Sequence, residues 1–166
     1  GLSNVLSNIL ALAAIEAGQT VLSLGPVDVS VLLSNAVGLV RERARAKPLS
    51  LQVDCAPNFG STRADGNRLK QVLLELLDNA IKHTPARGTV TISAKHRDNG
   101  TEISKAYRDC IFQPFERGSP SNSSHASSAG LGLTIARRFM ELHGGRIELT
   151  SRPGRGTTVR CWIPAN

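Results

Sequence analysis

Polar side chains that suit a metal-complexed phosphate occur between residues 66 and 84. Apolar residues recur there at the spacing of one helix face: Leu69, Leu73, Leu76, Leu77 and Ala80. The opposite face carries two acids, two amides and a cation: Gln71, Glu75, Asp78, Asn79 and Lys82. Asn79 offers an amide oxygen to Mg²⁺, a hard cation that keeps waters and bridges phosphates, and Lys82 could neutralise phosphate charge. Taken alone, the pattern favours an ordinary solvated helix face.

A glycine pair farther along the chain changes this balance. Gly130-Leu131-Gly132-Leu133 follows a serine-rich segment, residues 118–129, and is predicted to open a helix that runs to about His143. Glycines at a helix start let backbone N–H groups approach a phosphate, and the positive helix end favours an anion. A lone Gly-x-Gly is weak evidence. Together with the helix that carries Asn79 and the serine-rich segment before it, which we expect to be a mobile lid, this glycine pair indicates a phosphate site.

The charge balance favours anionic partners. The 166 residues include 20 Lys and Arg against 13 Asp and Glu, a formal net charge of +7. The densest basic cluster comprises Arg41, Arg43, Arg45 and Lys47. It lies near a predicted helix end, where cations complement the helix dipole. This placement favours a solvated basic helix end, and without an aromatic platform we expect no nucleic-acid partner.

Cysteine usage and hydropathy bear on the compartment. Cys55, Cys110 and Cys161 are far apart, odd in number and without metal-ligand spacing, which favours a reducing compartment. No apolar run reaches membrane-spanning length, and the first residues lack a signal-peptide pattern. We therefore expect a cytoplasmic location, with membrane attachment only through other parts of a longer protein.

Periodicity predicts how these residues are positioned. Helices are predicted at about 2–17, 30–47, 66–84 and 130–143, and strands at 27–29, 49–54, 89–95, 101–103, 146–151 and 157–163. This order predicts an α+β protein: a two-layer α/β sandwich with a mixed sheet, helices on one sheet face and an additional N-terminal helix. The N-terminal helix (1–18) would be joined by a linker (19–26) to one larger domain (27–166).

Several stretches resemble the motifs of sensor histidine kinases, in family order. The family's N box is similar to Leu76-Leu77-Asp78-Asn79-Ala80-Ile81-Lys82-His83-Thr84. Its F box is similar to Ile111-Phe112-Gln113-Pro114-Phe115-Glu116-Arg117-Gly118. Its G2 box is similar to Gly130-Leu131-Gly132-Leu133-Thr134-Ile135-Ala136, and its closing hairpin to His143-Gly144-Gly145 with Gly154-Arg155-Gly156-Thr157. Residues 2–18 resemble the end of the second dimerisation helix.

The resemblance implies the ATP-binding fold shared by histidine kinases, gyrase, Hsp90 and MutL (the Bergerat fold), with ATP and Mg²⁺ as ligands. It implies this ATP-binding set: Asn79, Lys82, His83, Arg117, Gly130, Leu131, Gly132, Leu133 and Thr157. Asn79 would hold Mg²⁺, Arg117 would reach the terminal phosphate from a lid at about 117–129, and Thr157 would lie beside the adenine. Plainer roles stay open, because His83 could be a surface histidine and Arg117 a lid solubility residue.

The sequence departs from the family pattern at the motif that binds adenine. The family's adenine-binding Asp-x-Gly-x-Gly should lie between Ile103 and the F box, but Ile103 is followed directly by Ser104. Without that carboxylate a buried purine amino group would stay unpaired, at a cost of roughly 1–3 kcal/mol. Three explanations compete: a disordered segment left out of the chain, a segment removed by engineering, or a true loss in a degenerate kinase. The abrupt end of the predicted strand at Ile103 favours a missing or removed segment.

A second departure is Glu75, which stands where the family often carries another Asn. An acid at this place is a feature of the related gyrase and MutL ATPases, where it activates water. General-base action would require Glu75 within hydrogen-bond reach of a water aligned on the terminal phosphate. The alternative, an acid that helps to hold Mg²⁺, is favoured. Glu75 and Asn79 are therefore the candidate catalytic residues.

Three functions follow from this sequence. The first is a two-component histidine kinase domain that presents Mg²⁺-ATP to a histidine of its own dimerisation domain, as a homodimer through residues 1–18, with a response-regulator receiver domain as partner. The second is a degenerate pseudokinase that docks a response regulator or partner kinase. The third, a basic nucleic-acid-binding domain, rests on charge alone. His83, His96, His125 and His143 lack a phosphoacceptor context, so we expect no autophosphorylation by this chain alone.

Overall fold

The computed structural model of the protein describes residues 2–97, 100–108, 123–152 and 156–164. The helices are α1 (Leu2–Glu16), α2 (Val29–Ala46), α3 (Gly66–His83) and α4 (Ser123–Leu142). The strands are β1 (Gly25–Asp28), β2 (Ser50–Asp54), β3 (Ser61–Ala64), β4 (Thr89–Arg97), β5 (Gly100–Arg108), β6 (Arg146–Arg152) and β7 (Gly156–Pro164). Within these ranges, no helix combines the length and apolar character needed to cross a bilayer.

A five-stranded mixed sheet forms one layer of the fold. Its strand order is β2-β4-β5-β7-β6, in which only the β2–β4 pair is parallel. β1 and β3 form a separate antiparallel pair. Helices α2, α3 and α4 share one hydrophobic core with the sheet. The predicted α/β sandwich with a mixed sheet and an N-terminal helix is therefore confirmed.

The core is built from aliphatic side chains of both layers. In α3 the predicted leucine face is buried throughout: Leu69, Leu73, Leu76, Leu77 and Ala80. The sheet contributes Ile92, Ile103 and Val159, and α4 contributes Phe139 and Met140, all almost fully buried. Each such side chain contributes about 1.5–3 kcal/mol when withdrawn from water. This burial determines which side of α3 faces inward and so where its polar residues lie.

A buried carboxylate joins three segments of the chain at the start of α3. Asp65, the helix N-cap, accepts hydrogen bonds from the backbone N–H groups of Ser23 (2.9 Å) and Arg68 (3.2 Å). Its own N–H donates to Nε2 of His143 (3.0 Å), whose Nδ1 therefore carries the proton and donates to the Phe139 carbonyl (2.7 Å). The linker after α1, the start of α3 and the end of α4 are thus held together.

The charge of Asp65 is favoured by these contacts. Burial raises the pKa of the Asp65 carboxyl, but the backbone N–H groups of Ser23, Arg68 and Asn67 and the charge of Arg68 together outweigh burial and hold that pKa below its ordinary value. The ionised carboxylate is therefore the form that stabilises the folded chain.

Helix α4 begins earlier than the sequence predicts. Its first residue is Ser123, whereas residues 118–129 were expected to form a loop and Gly130 to open the helix. That expectation is wrong for residues 123–129, which are helical. Alanine and serine cost little in a helix, at most about 0.5 kcal/mol each, so a helix that is nucleated by core packing farther along can extend through them.

Strand β5 is longer than predicted. The expected strand ended at Ile103, but β5 continues to Arg108 without a break in register, with Ser104 opposite Ser93 and Lys105 opposite Ile92. β5 lies between β4 and β7 and pairs with both. A central strand that stopped while its neighbours continued would leave their backbone N–H and C=O groups unpaired, which explains why the segment after Ile103 is drawn into the sheet.

We expect Asp65→Ala to lower the free energy of unfolding by about 1–2 kcal/mol, because it removes an N-cap together with the tie to the linker. Urea denaturation followed by circular dichroism measures this loss. Asp54→Ala, at an exposed position at the end of β2, is the matched control and should change stability far less. Equal effects of the two substitutions would show that the hydrogen bonds of Asp65 do not stabilise the fold.

Candidate functional site

The side-chain amide of Asn79 is buried without a partner. Asn79 is only 5% exposed, and neither Oδ1 nor Nδ2 has a hydrogen bond from the described residues. Nearly all buried polar groups in folded proteins are hydrogen-bonded, and leaving one unsatisfied costs about 1–3 kcal/mol. This unfavourable burial occurs at the residue that the sequence analysis predicts to bind Mg²⁺-ATP. Asn79 therefore marks the candidate site.

Glu75 lies one helical turn before Asn79 and is half-buried. Burial raises the pKa of its carboxyl, Asp78 raises it further, and a hydrogen bond from the side chain of Asn8 opposes both. The carboxylate also lies against α4, because a Cβ added to Gly132 would overlap Oε2 of Glu75. Glu75 is therefore enclosed by three helices. The contribution of Asn8 was not predicted, since the sequence carries no indication that α1 reaches α3.

Gly132 is needed for this close approach, although not in the way predicted. Gly130 and Gly132 lie within α4, whose start is at Ser123. Interior helix N–H groups bond to carbonyl oxygens four residues earlier, so the prediction that these glycines open the helix is wrong. Leu131 lies between them in α4, and the Leu133 side chain is in the core, 2% exposed. Their assignment to the nucleotide stays a prediction.

The end of α3 concentrates positive charge around a neutral histidine. Burial lowers the pKa of His83 to about 4, and the ammonium groups of Lys82 and Lys47 add to the effect. Lys47 donates to the carbonyl oxygens of Ile81 (2.9 Å) and Lys82 (2.7 Å), which complements the negative end of the helix. Lys82 itself is exposed. Lys82 and His83 follow Asn79 by three and four residues on α3, about one helical turn away.

The basic cluster at the end of α2 has structural roles. Arg43 forms an ion pair with Asp78 of α3, and Lys47 caps the same helix. Arg45 lies 3.6 Å from Glu42. The contacts of Arg43 and Lys47 hold the end of α2 against α3, whereas the Arg45–Glu42 pair lies within α2.

The remaining predicted site residues are placed in part. Thr157 lies in β7, opposite Tyr107 of β5 and Ser151 of β6. Arg117 and the rest of the F box lie outside the described residues. In the described part of the chain, His, Cys, Asp and Glu side chains form no group of three or more suited to a metal ion. A cation at Asn79 would therefore take most of its ligands from water or phosphate oxygens.

The family of the chain follows from a comparison with known proteins. Residues 64–166 match the family described as histidine kinase-, DNA gyrase B-, and HSP90-like ATPase. The chain belongs to this ATPase family. The match includes α3, α4 and most of the sheet, and so covers every predicted ATP-binding position. The resemblance deduced from the sequence motifs is confirmed.

Similar proteins are histidine kinases of this ATPase family. The circadian input-output histidine kinase CikA of Synechococcus elongatus is 33% identical over 174 residues, which cover 98% of this chain and 23% of CikA. The histidine kinase AdeS of Acinetobacter baumannii has a TM-score of 0.81 at 19% identity, covering 99% of this chain and 79% of that structure. Full-length ShkA, solved in complex with AMPPNP, has a TM-score of 0.78 at 28% identity, covering 99% of this chain and 36% of ShkA.

We expect His83 to make the folded protein sensitive to acid. Its pKa in the folded state, about 4, lies below the ordinary value of 6.5, so the unfolded chain binds the proton more tightly. The free energy of unfolding should therefore fall as the pH is lowered from about 6.5 towards about 4. At higher pH, His83 is neutral in both the folded and the unfolded chain, so it should not make the stability depend on pH. Urea titrations across this range should show a smaller loss for His83→Gln. Parallel pH curves for the two proteins would contradict the expectation.

Gly132→Ala should be coupled energetically to Glu75. Alanine favours a helix interior over glycine by about 1 kcal/mol, but at residue 132 its Cβ must displace the Glu75 carboxylate. The stabilisation should therefore be larger in a Glu75→Ala background than in the wild type, as measured by thermal or urea denaturation. Gly38→Ala in α2, where a Cβ meets no atom within 4 Å, is the control and should stabilise both backgrounds equally. Additive effects at residues 75 and 132 would rule out the close contact.

Proposed function

We propose that this chain binds Mg²⁺-ATP at the seam between α3 and α4 and supplies the γ-phosphate to a histidine of a dimerisation domain, as the catalytic domain of a two-component histidine kinase. The observation that carries the proposal is the Asn79 amide of α3, which is buried and has no hydrogen-bond partner among the described residues. Membership of the histidine kinase, gyrase B and HSP90-like ATPase family supports it. ATP is the ligand expected of that family.

The metal and phosphate half of the site fits the residues present. Asn79 provides the neutral oxygen that a hard cation accepts, and Lys82 and His83, one turn later on α3, are proposed to contact phosphate or ribose. Arg117 is proposed to reach the terminal phosphate. Backbone N–H groups at Gly130 and Gly132 would become available to phosphates if the first turns of α4 unwound, and each glycine lowers the cost of unwinding by about 1 kcal/mol relative to alanine.

Phosphoryl transfer of this kind depends mainly on positioning and charge neutralisation. A chain that presents ATP does not need its own acceptor. Three of its histidines are committed to contacts: His83 is half-buried beside two lysines, His96 stacks on Phe59 at 3.9 Å, and His143 joins α4 to Asp65. We therefore propose that the acceptor histidine belongs to a dimerisation domain rather than to these positions.

Helix α1 is proposed to belong to that dimerisation domain. Leu6, Ile9 and Leu10 are 58%, 49% and 62% exposed on α1. Three adjacent apolar side chains exposed on one helix fit a second copy of the same helix, which would make the protein a homodimer through residues 1–18. A response-regulator receiver domain would take the phosphate onward. The domain would act in the cytoplasm, with any membrane anchor supplied by other parts of a longer protein.

A second candidate function is a pseudokinase that serves as a docking module. The observation that favours it is β5, which continues as an unbroken strand from Ile103 to Arg108 where the family's adenine-binding segment is expected. After Ile103, β5 continues with Ser104, Lys105, Ala106, Tyr107 and Arg108, and none of these has the carboxylate that would accept the adenine amino group. Sequencing the encoding gene across the Ile103–Ser104 junction separates the two candidates, because an Asp-x-Gly-x-Gly there would exclude the degenerate protein.

We expect Asn79→Ala to abolish binding of Mg²⁺-ATP without destabilising the fold. The substitution removes two unsatisfied buried polar atoms, so the free energy of unfolding should stay constant or rise. Isothermal titration calorimetry with Mg²⁺ and ATP, beside urea denaturation of the same variants, measures both effects.

Asn67→Ala, an exposed position in the first turn of α3, is the matched control and should bind like the wild type. Undiminished binding by the Asn79 variant would exclude the proposed metal site. Absence of binding by the wild type would favour the docking module instead.

A further inference from the structure

Arg87, in the turn between α3 and β4, has a strained backbone. Its φ is 72°, and the other described residues with clearly positive φ are all glycines: Gly18, Gly60 and Gly144. A side chain at positive φ brings Cβ too close to the backbone, so this conformation is unfavourable for residues other than glycine and, to a lesser extent, asparagine and aspartate. Strained residues of this kind concentrate at functional sites.

The surrounding chain imposes this strain on Arg87. The turn is closed by a hydrogen bond from the Gly88 N–H to the Pro85 carbonyl (3.0 Å), which makes Arg87 its third residue. The Arg87 N–H donates to the Pro48 carbonyl (3.0 Å), and the Ser50 N–H donates to the Gly88 carbonyl (3.0 Å). A turn with positive φ at its third residue normally has glycine or asparagine there. The backbone therefore does not call for arginine, and the side chain is what distinguishes this residue from glycine.

The Arg87 side chain lies on the surface beside two other cations. It is exposed, and no carboxylate of the described residues forms an ion pair with it. Its backbone is bonded to Pro48, the residue that follows Lys47, and Lys47 Nζ lies 2.7 Å from the Lys82 carbonyl oxygen. The ends of α2 and α3 and the turn thus meet at one place. We call Lys47, Lys82 and Arg87 the basic end surface.

The basic end surface keeps a net positive charge. Lys47 donates to backbone carbonyl oxygens at the end of α3, which carry no net charge. Asp78, the acid closest in sequence to Lys82, forms an ion pair with Arg43. His83 responds to the excess of positive charge, because burial together with the ammonium groups of Lys82 and Lys47 lowers its pKa to about 4. An anionic partner would relieve this repulsion.

We propose that the basic end surface is a docking site for an acidic segment of a partner protein, whose carboxylates pair with Arg87 and Lys47. The Arg87 guanidinium can hold a carboxylate through two parallel N–H groups. Lys47 uses two of its three N–H donors on α3, which leaves one for the partner. Cations on three separate segments fit a run of carboxylates, whereas surfaces for single-stranded nucleic acid add aromatic side chains, which these three residues lack. The proposal does not depend on ATP binding.

The test titrates the isotope-labelled whole chain with a synthetic peptide of alternating Glu and Ser, near neutral pH and at low salt, and follows the backbone amide signals by NMR. The signals of Lys47, Lys82 and Gly88 should shift until they saturate. Added salt should weaken the affinity, because it screens exposed charges. The amide signal of Arg63, an exposed residue of β3, should not move.

Arg87→Gly should have opposite effects on binding and on stability. It removes a partner of the carboxylates, so the affinity for the peptide should fall about two- to fivefold, the range of an exposed ion pair. It also relieves the strain at positive φ, so the urea midpoint should rise. Arg87→Lys keeps both the charge and the strain and should resemble the wild type in stability and in most of its affinity. Arg63→Ala changes the net charge by the same amount as Arg87→Gly and should leave the affinity unchanged.

Four results would overturn the proposal. The first is a wild type without saturable shifts at the basic end surface. The second is an equal loss of affinity in Arg87→Gly and Arg63→Ala, which would show that the peptide responds only to net charge. The third is a lower urea midpoint for Arg87→Gly, because the arginine would then stabilise the fold. The fourth is binding of tripolyphosphate or duplex DNA that depends on Arg87 while peptide binding does not, which would assign the surface to phosphate groups.

Discussion

Helix α3 must satisfy two opposing requirements with adjoining faces. Its leucine face packs into the core, and each buried leucine contributes about 1.5–3 kcal/mol. On an adjoining face, Asn79 is buried without a hydrogen bond from the part of the chain that the structure describes, at a cost of about 1–3 kcal/mol for each unsatisfied group. Several leucines outweigh one amide, so the fold tolerates a desolvated polar group at a defined place. A ligand that pairs with this group gains the interaction without first displacing a protein partner.

Both ends of α3 are held by polar contacts from distant segments. At its start, Asp65 receives N–H groups from the linker and from the helix and is tied to His143. At its end, Lys47 donates to two terminal carbonyl oxygens. A helix held at both ends keeps Asn79 at a constant distance from the sheet.

The sequence predicts the elements that carry strong local patterns. The leucine spacing of the helix predicted at 66–84 and the strand predicted at 89–95 correspond closely to α3 and β4. Asn79 was selected from residue type and position, and its buried, unpartnered state agrees with that selection. β3 was missed because a four-residue strand with Ser61, Thr62 and Arg63 has almost no apolar alternation.

Other features depend on contacts that no local pattern reveals. The hydrogen bond between Asp65 and His143 joins residues 78 positions apart. The contact of Asn8 with Glu75 requires α1 to fold back on α3, and α1 itself shows only an apolar stripe in the sequence. The length of β5 is imposed by its two neighbours in the sheet rather than by its own composition. The early start of α4 likewise follows from propagation out of a packed helix, because its serines alone would not nucleate one.

Trp162 is the single tryptophan of the protein, and its position has a spectroscopic consequence. It alternates along β7 with Cys161 and Ile163, which are buried in the core, so its ring lies on the opposite side of the sheet, under the guanidinium of Arg146 at 5.1 Å. The five-stranded sheet therefore separates the indole from the three helices. Its fluorescence emission will report the unfolding of β5, β6 and β7, and it will change little when a ligand binds near Asn79. Binding there is better followed with an extrinsic dye or with a tryptophan introduced on the helical side of the sheet.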